Sequence, residues 1–248
     1  MRYDTYLDKQ LSLQLFKDKE EEAASHRASG KLSASQLNWP LQWQILKARG
    51  IEPPPFDAYT LRKFARGQHV EDWFLSKISG IVDTQKTVTY RNAVGRYDAL
   101  VDTKDWDWNM GVIPLEVKSV TNAKFKHIGH RKESDKGHML QATFYAMALQ
   151  KEHYALAYIA SDDYRVRVHI HSVAEMSSAV DGIITEFETQ LRSGIVPVFV
   201  PREPWQATPQ YNNYPDWAKL KEDEINKKIK EHESTSTGGK KLRTRASR

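Results

Sequence analysis

The sequence predicts a mixed α/β fold, a central β-sheet flanked by helices, with helical extensions at both ends. Three observations predict it. Residues 57–79 repeat apolar side chains at helical spacing (Leu61, Phe64, Trp73, Phe74, Ile78). From Ile81 the period changes to two, giving three strands in succession as far as Ser119. Beyond them HMLQATFYAMALQ, residues 138–150, is built from good helix formers, and a second strand pair and an amphipathic stretch, Val173–Arg192, follow before Gly194. Helix, three strands, helix, two strands, helix is an order that one mixed sheet with helices packed on it accommodates.

A chain of 248 residues can bury one sizeable core. The expected partition is a charged helix over 1–32, the core over 33–200, and a Pro/Trp-rich segment with a charged helix packing on it over 201–233. A disordered basic tail, STSTGGKKLRTRASR, then runs over 234–248. Cysteine is absent, which excludes disulfides, thiolate zinc sites and a cysteine-ligated iron–sulfur cluster, and suits a cytoplasmic location. No apolar run approaches the roughly 18 residues of a membrane span. The start, MRYDTYLDKQ, has no apolar core of a secretory signal, so no membrane partner is expected. A formal net charge of +5 is compatible with a polyanionic partner and does not demand one.

In chain order, Leu7, Leu11 and Leu15 make a stripe expected to pack the first helix on the body. Ser33 or Ser35 caps a short helical piece, Pro40 breaks or restarts it, and Pro53-Pro54-Pro55 is a stiff connector. Gly67 interrupts the 57–79 helix at a cost of about 1 kcal/mol relative to Ala, which suggests a close approach to its backbone. Ile81–Tyr90 reads as a strand, Arg91–Ala93 as a turn and Arg96–Asp102 as the hairpin partner. Thr103–Gly111 is a polar, aromatic loop, Val112–Ser119 the third strand, and Thr121–Lys136 a long basic loop. Tyr154–Ala160 and Tyr164–His171 form a second hairpin. Its His169 and His171 read as surface residues, since no further zinc ligands converge on them.

Chemistry concentrates between Gly95 and Lys118. In Leu115-Glu116-Val117-Lys118 apolar and charged residues alternate, so Glu116 and Lys118 share a strand face about 7 Å apart. Asp98, mid-strand on the preceding element, supplies a second carboxylate. Asp102 would stand about 13 Å further along, too far to share an ion whose ligands lie at about 2.0–2.1 Å. With Asp105 and Asp107 it is assigned to the loop.

Asp98 followed by Glu116-Val117-Lys118 behind an apolar run resembles the PD-(D/E)xK nuclease signature. Two further pieces resemble its RecB-like exonuclease branch, which includes CRISPR-associated and mitochondrial genome-maintenance exonucleases. These are Gly67-Gln68-His69-Val70-Glu71, like the glycine-then-histidine motif though with shorter spacing, and Gln141-Ala142-Thr143-Phe144-Tyr145, like the QxxxY helix. The resemblance covers roughly residues 33–200 and implies a restriction-endonuclease-like core. It implies that Asp98, Glu116, the Val117 carbonyl and His69 hold Mg²⁺ or Mn²⁺, with Glu71 and Asp72 as alternative helix-borne ligands. Lys118 would attend the attacking water, and Gln141 and Tyr145 would face the substrate. Lys124, Lys126, Arg131 and Lys132 would contact phosphate.

The cysteines that clamp many members with an iron–sulfur cluster are missing. Trp39, Trp43, Trp205 and Trp217 are expected to pack together in their place. The function so implied is a metal-dependent exonuclease acting on DNA with free ends, preferring single strands, in recombination, repair, replication or phage DNA metabolism. A recombination, replication or CRISPR-type protein partner is possible on this reading. Alternatives are a structure-dependent or restriction-type endonuclease and a non-cleaving DNA-binding clamp.

Overall fold

The protein is represented by a computed structural model that describes residues 6–25, 30–51, 56–131 and 133–207. Trp217, Lys132, Pro53-Pro54-Pro55 and the tail from residue 234 lie outside the described residues.

Helix α1 (Tyr6–Ser25) leads to a two-residue strand β1 (Leu32–Ser33), a 3-10 turn (Ala34–Gln36) and α2 (Leu41–Ala48). Pro40 restarts the chain here, at the N-cap of α2. Helix α3 (Ala58–Leu75) starts at Asp57, whose carboxylate accepts from the Thr60 amide at 2.7 Å. Strands β2 (Ile81–Thr84), β3 (Thr87–Tyr90), β4 (Ala93–Arg96), β5 (Ala99–Asp102) and β6 (Val112–Val120) follow. Then come α4 (Asn122–Arg131), α5 (Lys136–Ala148), β7 (His153–Ala160), β8 (Val166–Ser172) and α6 (Ser177–Ser193). Gly194, at φ 74°, closes α6 in the left-handed conformation that glycine tolerates.

The main sheet has the order β2-β5-β6-β7-β8, in which only β6 and β7 run parallel. A parallel neighbour requires a crossover, and α4 with α5 provides it. Ile113, Leu115 and Val117 face one side of the sheet, with Val70 and Phe74 of α3. Leu156, Tyr158 and Ala160 face the other, with Phe125 and Ile128 of α4 and Ala142 and Ala146 of α5.

The hairpin expected over Ile81–Asp102 is one hairpin divided between two sheets. Both arms break at the same level, one at Gln85-Lys86 and the other at Tyr97-Asp98, leaving β2 and β5 in the main sheet. Its tip, β3 and β4, forms a three-stranded sheet with β1. Gln85 takes φ 54° at the break, where its amide donates to the Asp98 carbonyl and the Tyr97 amide donates to the Lys86 carbonyl.

Four expectations are corrected. Thr121–Lys136 is mostly helix, because Phe125 and Ile128, three residues apart, bury a stripe that the surrounding basic residues obscure in the sequence. Gly67 has open space where a Cβ would point, so no packed neighbour demands it. The leucine stripe of α1 is not buried: Leu7 is 79% exposed, and α1 is tied to α3 by Arg62, which bonds Asp8 and Ser12. Trp39 and Trp43 do meet edge to face at 6.0 Å, and Phe199 stacks on Trp43, but Trp205 is 43% exposed and shares no ring contact with them among the described residues. Polar groups hold that segment instead: buried Gln206 donates to the Asn38 carbonyl, and Arg202 donates to that of Trp39. A tryptophan needs a preformed pocket of its own size, whereas these side chains satisfy half-buried backbone carbonyls between the 3-10 turn and α2.

Candidate active site

The site forms where β5 departs from β6. Strand β5 pairs with β6 only as far as Ala99 opposite Leu115, while β6 continues along β7 to Val120. From Glu116 onward the β5-side edge of β6 is therefore open to other groups. Asp98, just before β5, fills part of it, and its Oδ2 accepts from the Val117 amide at 2.7 Å. The N–H and C=O of one strand residue point to the same side, so the Val117 carbonyl faces this gap as well.

Glu116 and Lys118 project to the α5 side of β6. Glu116 is 1% exposed and Asp98 9% exposed. The Lys118 ammonium lies 2.5 Å from Glu116 Oε1 and 3.1 Å from Gln141 Oε1, and Gln141 Nε2 donates to the Tyr145 hydroxyl at 3.0 Å. The i, i+4 spacing on α5 thus produces a hydrogen-bonded chain from Tyr145 through Gln141 to Lys118 and Glu116. Tyr145 is buried, which raises its phenol pKa and makes it a support for Gln141 rather than a surface group.

Glu71 reaches the same gap from α3. Its Oε1 accepts from Gln85 Nε2 at 2.7 Å, and burial together with the Asp98 charge pushes its pKa up to about 7. Glu116 is pushed up to about 8 by burial, against the opposing pull of Lys118 and with the charge of Asp98 adding to the rise. Asp98 is raised for the same first reason. Burial pulls Lys118 downward, but the surrounding carboxylates outweigh it and hold the ammonium above its ordinary value. Three carboxylates share one ammonium, so protons stay on until another cation replaces them.

His69 is not part of this arrangement: its side chain is exposed on α3. Helical phase explains why. At about 100° per residue, Glu71 lies about 80° from the middle of the Val70–Phe74 stripe, His69 about 120° and Asp72 about 180°. The period is in the sequence, but which apolar residues of α3 face the sheet is fixed by the packing of Val70 and Phe74. Gln85 carried no signal, because its role depends on the break in the hairpin.

The basic residues between β6 and α5 are spread over α4. Lys124 is engaged with Asp135 at 2.9 Å, while Lys126 and Arg131 are exposed. His169 Nδ1 and His171 Nε2 both bond Ser134 Oγ, at 2.9 and 2.8 Å. The HxH pair thereby fastens the loop that precedes α5.

As they stand, no three His, Cys, Asp or Glu side chains among the described residues make a ready metal cage. Glu116 Oε1 is bonded to Lys118 and Asp98 Oδ2 to the Val117 amide. The donor chemistry nonetheless fits a hard divalent ion. Glu116 Oε2 is buried without a hydrogen-bond partner, the other donors at the gap are carboxylate and carbonyl oxygens, and the raised Glu71 and Glu116 hold protons that a cation would displace.

No family model matches the chain, and no curated protein matches it. Among solved structures the chain is similar to an alkaline exonuclease, LHK-Exo, from Laribacter hongkongensis, with 15% identity and a TM-score of 0.49 over 70% of this chain and 95% of that one. The same enzyme in complex with dAMP aligns at 15% identity and TM-score 0.48, over 71% of this chain and 95% of that one. A phage related exonuclease from Haemophilus somnus 129PT aligns at 10% identity and TM-score 0.39, over 66% and 96%.

Proposed function

We propose that the chain is a Mg²⁺- or Mn²⁺-dependent deoxyribonuclease that hydrolyses phosphodiester bonds from free DNA ends, with a preference for single strands. Its setting would be recombination, repair, replication or phage DNA metabolism. One observation carries the reading: Glu71, Asp98 and Glu116 converge beside the Lys118 ammonium at an open edge of β6. Buried like charges are costly unless a cation balances them, and a fold has no structural need for three.

Asp98, Glu116 and the Val117 carbonyl would hold the ion, with Glu71 as the helix-borne ligand in place of His69. An all-oxygen donor set suits Mg²⁺ at least as well as Mn²⁺. When bound, the ion polarises the phosphate and lowers the pKa of a coordinated water. The chain's own groups do the rest. Lys118, braced by Gln141, keeps a positive charge where negative charge develops on the phosphate, and orients the water beside it. Tyr145 holds Gln141, and the exposed Lys126 and Arg131 of α4 offer phosphate contacts. Action from free ends rests on the ordered resemblance of the four sequence pieces to the RecB-like branch.

The test is cleavage of end-labelled linear and of circular DNA, single- and double-stranded, with Mg²⁺, Mn²⁺ or EDTA. Degradation of linear substrates alone supports an exonuclease, cut circles an endonuclease, and binding without cleavage in any metal a clamp. Glu116→Gln and Lys118→Ala are expected to lower cleavage by at least about a hundredfold while DNA binding persists. Wild-type turnover by either variant rejects the assignment.

A further inference from the structure

We propose that Gln85 is a positioning residue of the site: its side-chain amide occupies one oxygen of Glu71, so that this carboxylate offers a cation a single oxygen, which favours Mg²⁺ relative to Ca²⁺. The proposal deepens the nuclease reading above and rests on it. Gln85 touches two of the acidic residues at once. Its side-chain Nε2 donates to Glu71 Oε1 at 2.7 Å, and its backbone amide donates to the Asp98 carbonyl at 3.1 Å. Glu71 comes from α3 and Asp98 stands just before β5, so Gln85 links two elements that each deliver a carboxylate. The backbone at this point is a second observation. Gln85 takes φ 54°, in the left-handed region that glycine enters freely and a long side chain seldom does. A glycine would make this turn with less strain, but it would bring no amide to Glu71. The strain is accounted for by the contact the side chain makes.

A pattern shared by the three carboxylates is the third. Asp98 Oδ2 accepts from the Val117 amide, and Glu116 Oε1 accepts from the Lys118 ammonium. With Gln85 on Glu71 Oε1, each carboxylate has one oxygen bonded to a donor of the chain. No amide or ammonium among the described residues bonds the other oxygen, and that of Glu116 is buried. A carboxylate held in this way binds a cation through one oxygen. Mg²⁺ demands a near-ideal octahedron, which the narrow bite of a two-oxygen carboxylate distorts, whereas Ca²⁺ accepts either mode. Of the three donors, Gln85 is the one that can be removed without touching a metal ligand, a backbone amide or the lysine.

The experiment titrates Mg²⁺ and, separately, Ca²⁺ into metal-free protein by calorimetry, without DNA, for wild type, Gln85→Gly and Gln85→Ala. Gln85→Gly, which eases the turn, is expected to weaken Mg²⁺ binding by about tenfold and to leave Ca²⁺ binding within about threefold of wild type. Gln85→Ala keeps the strained φ and should melt below Gln85→Gly in EDTA, yet bind Mg²⁺ as weakly. In cleavage assays the Mg²⁺ concentration for half-maximal rate should rise by about the same tenfold factor, with KM for DNA unchanged. A ratio of Mg²⁺ to Ca²⁺ affinity in Gln85→Gly within about threefold of wild type overturns the proposal, whichever way the two affinities move. So does a loss that follows the melting temperature from one variant to the other, as a merely structural role would require. Wild-type protein that binds Mg²⁺ but cuts no DNA rejects the nuclease reading, while calorimetry still judges Gln85. Wild-type protein that does not bind Mg²⁺ overturns both.

Discussion

Glu71 and His69 are two residues apart on α3, yet only Glu71 meets Asp98, because the helix turns its side chain toward the buried stripe and His69 away from it. Glu71→Gln is expected to lower cleavage by at least about tenfold, whereas His69→Ala should stay within twofold of wild type. Rates measured across a Mg²⁺ titration check this: the Glu71 variant should need more metal, and a His69 variant that does so instead returns the ligand role to the histidine. At this scale Asp98, Glu116 and Lys118 were legible as a set, since strand alternation alone puts the last two on one face. Gln141 and Tyr145 were legible as sharing a helix face. That Tyr145 is buried was not, because its burial depends on Gly95 of β4, a segment some fifty residues earlier, passing close to its ring.

Two glycines make opposite predictions at the scale of elements. Strand β4 crosses α5 so closely that a Cβ on Gly95 would lie 2.5 Å from Ala34 Cβ and 2.7 Å from the Tyr145 ring. Gly95→Ala should destabilise the fold by about 1–3 kcal/mol and, by displacing Tyr145, reduce cleavage as well. Gly67 lies in the middle of α3 with open space around it. Gly67→Ala should raise stability by about 0.5–1 kcal/mol through helix propensity. Urea unfolding of both variants tests the pair, and a stabilising Gly95→Ala or a destabilising Gly67→Ala contradicts the packing described. Periodicity located both the helix and the strands. It missed α4, where basic side chains dilute a two-residue apolar stripe, and it could not see the hairpin dividing between two sheets, since β2 and β3 alternate alike on either side of Gln85.

For the whole molecule, the proton-holding carboxylates tie stability to pH and to metal. Glu71 and Glu116 have folded pKa values of about 7 and about 8, above the 4.5 of an ordinary glutamate. Between those values the folded state binds more protons than the unfolded one. Without metal, stability is therefore fully present below pH 4.5 as far as these groups are concerned, and is lost as pH rises through 7 and 8. The limiting slope is about 1.4 kcal/mol per pH unit for each group. Adding Mg²⁺ should release protons and restore the loss. Thermal melts in EDTA and in Mg²⁺ across pH 5–8.5 check it, and metal-free protein that grows steadily more stable over that range would falsify the account.

Local spacing by itself determined a mixed α/β chain, with an Asp and a Glu-x-Lys on consecutive stretches and a Gln and Tyr one helical turn apart. Those are consequences of periods of 2 and 3.6, which any reader of the sequence can count. The tertiary structure alone decided which of three helix residues faces the carboxylates, where the β6 edge lies open, and that Lys118 is shared between Glu116 and Gln141. Each of these depends on where β5 stops pairing and how α3 and α5 approach β6, and contacts between segments tens of residues apart are set by packing, which no local period encodes.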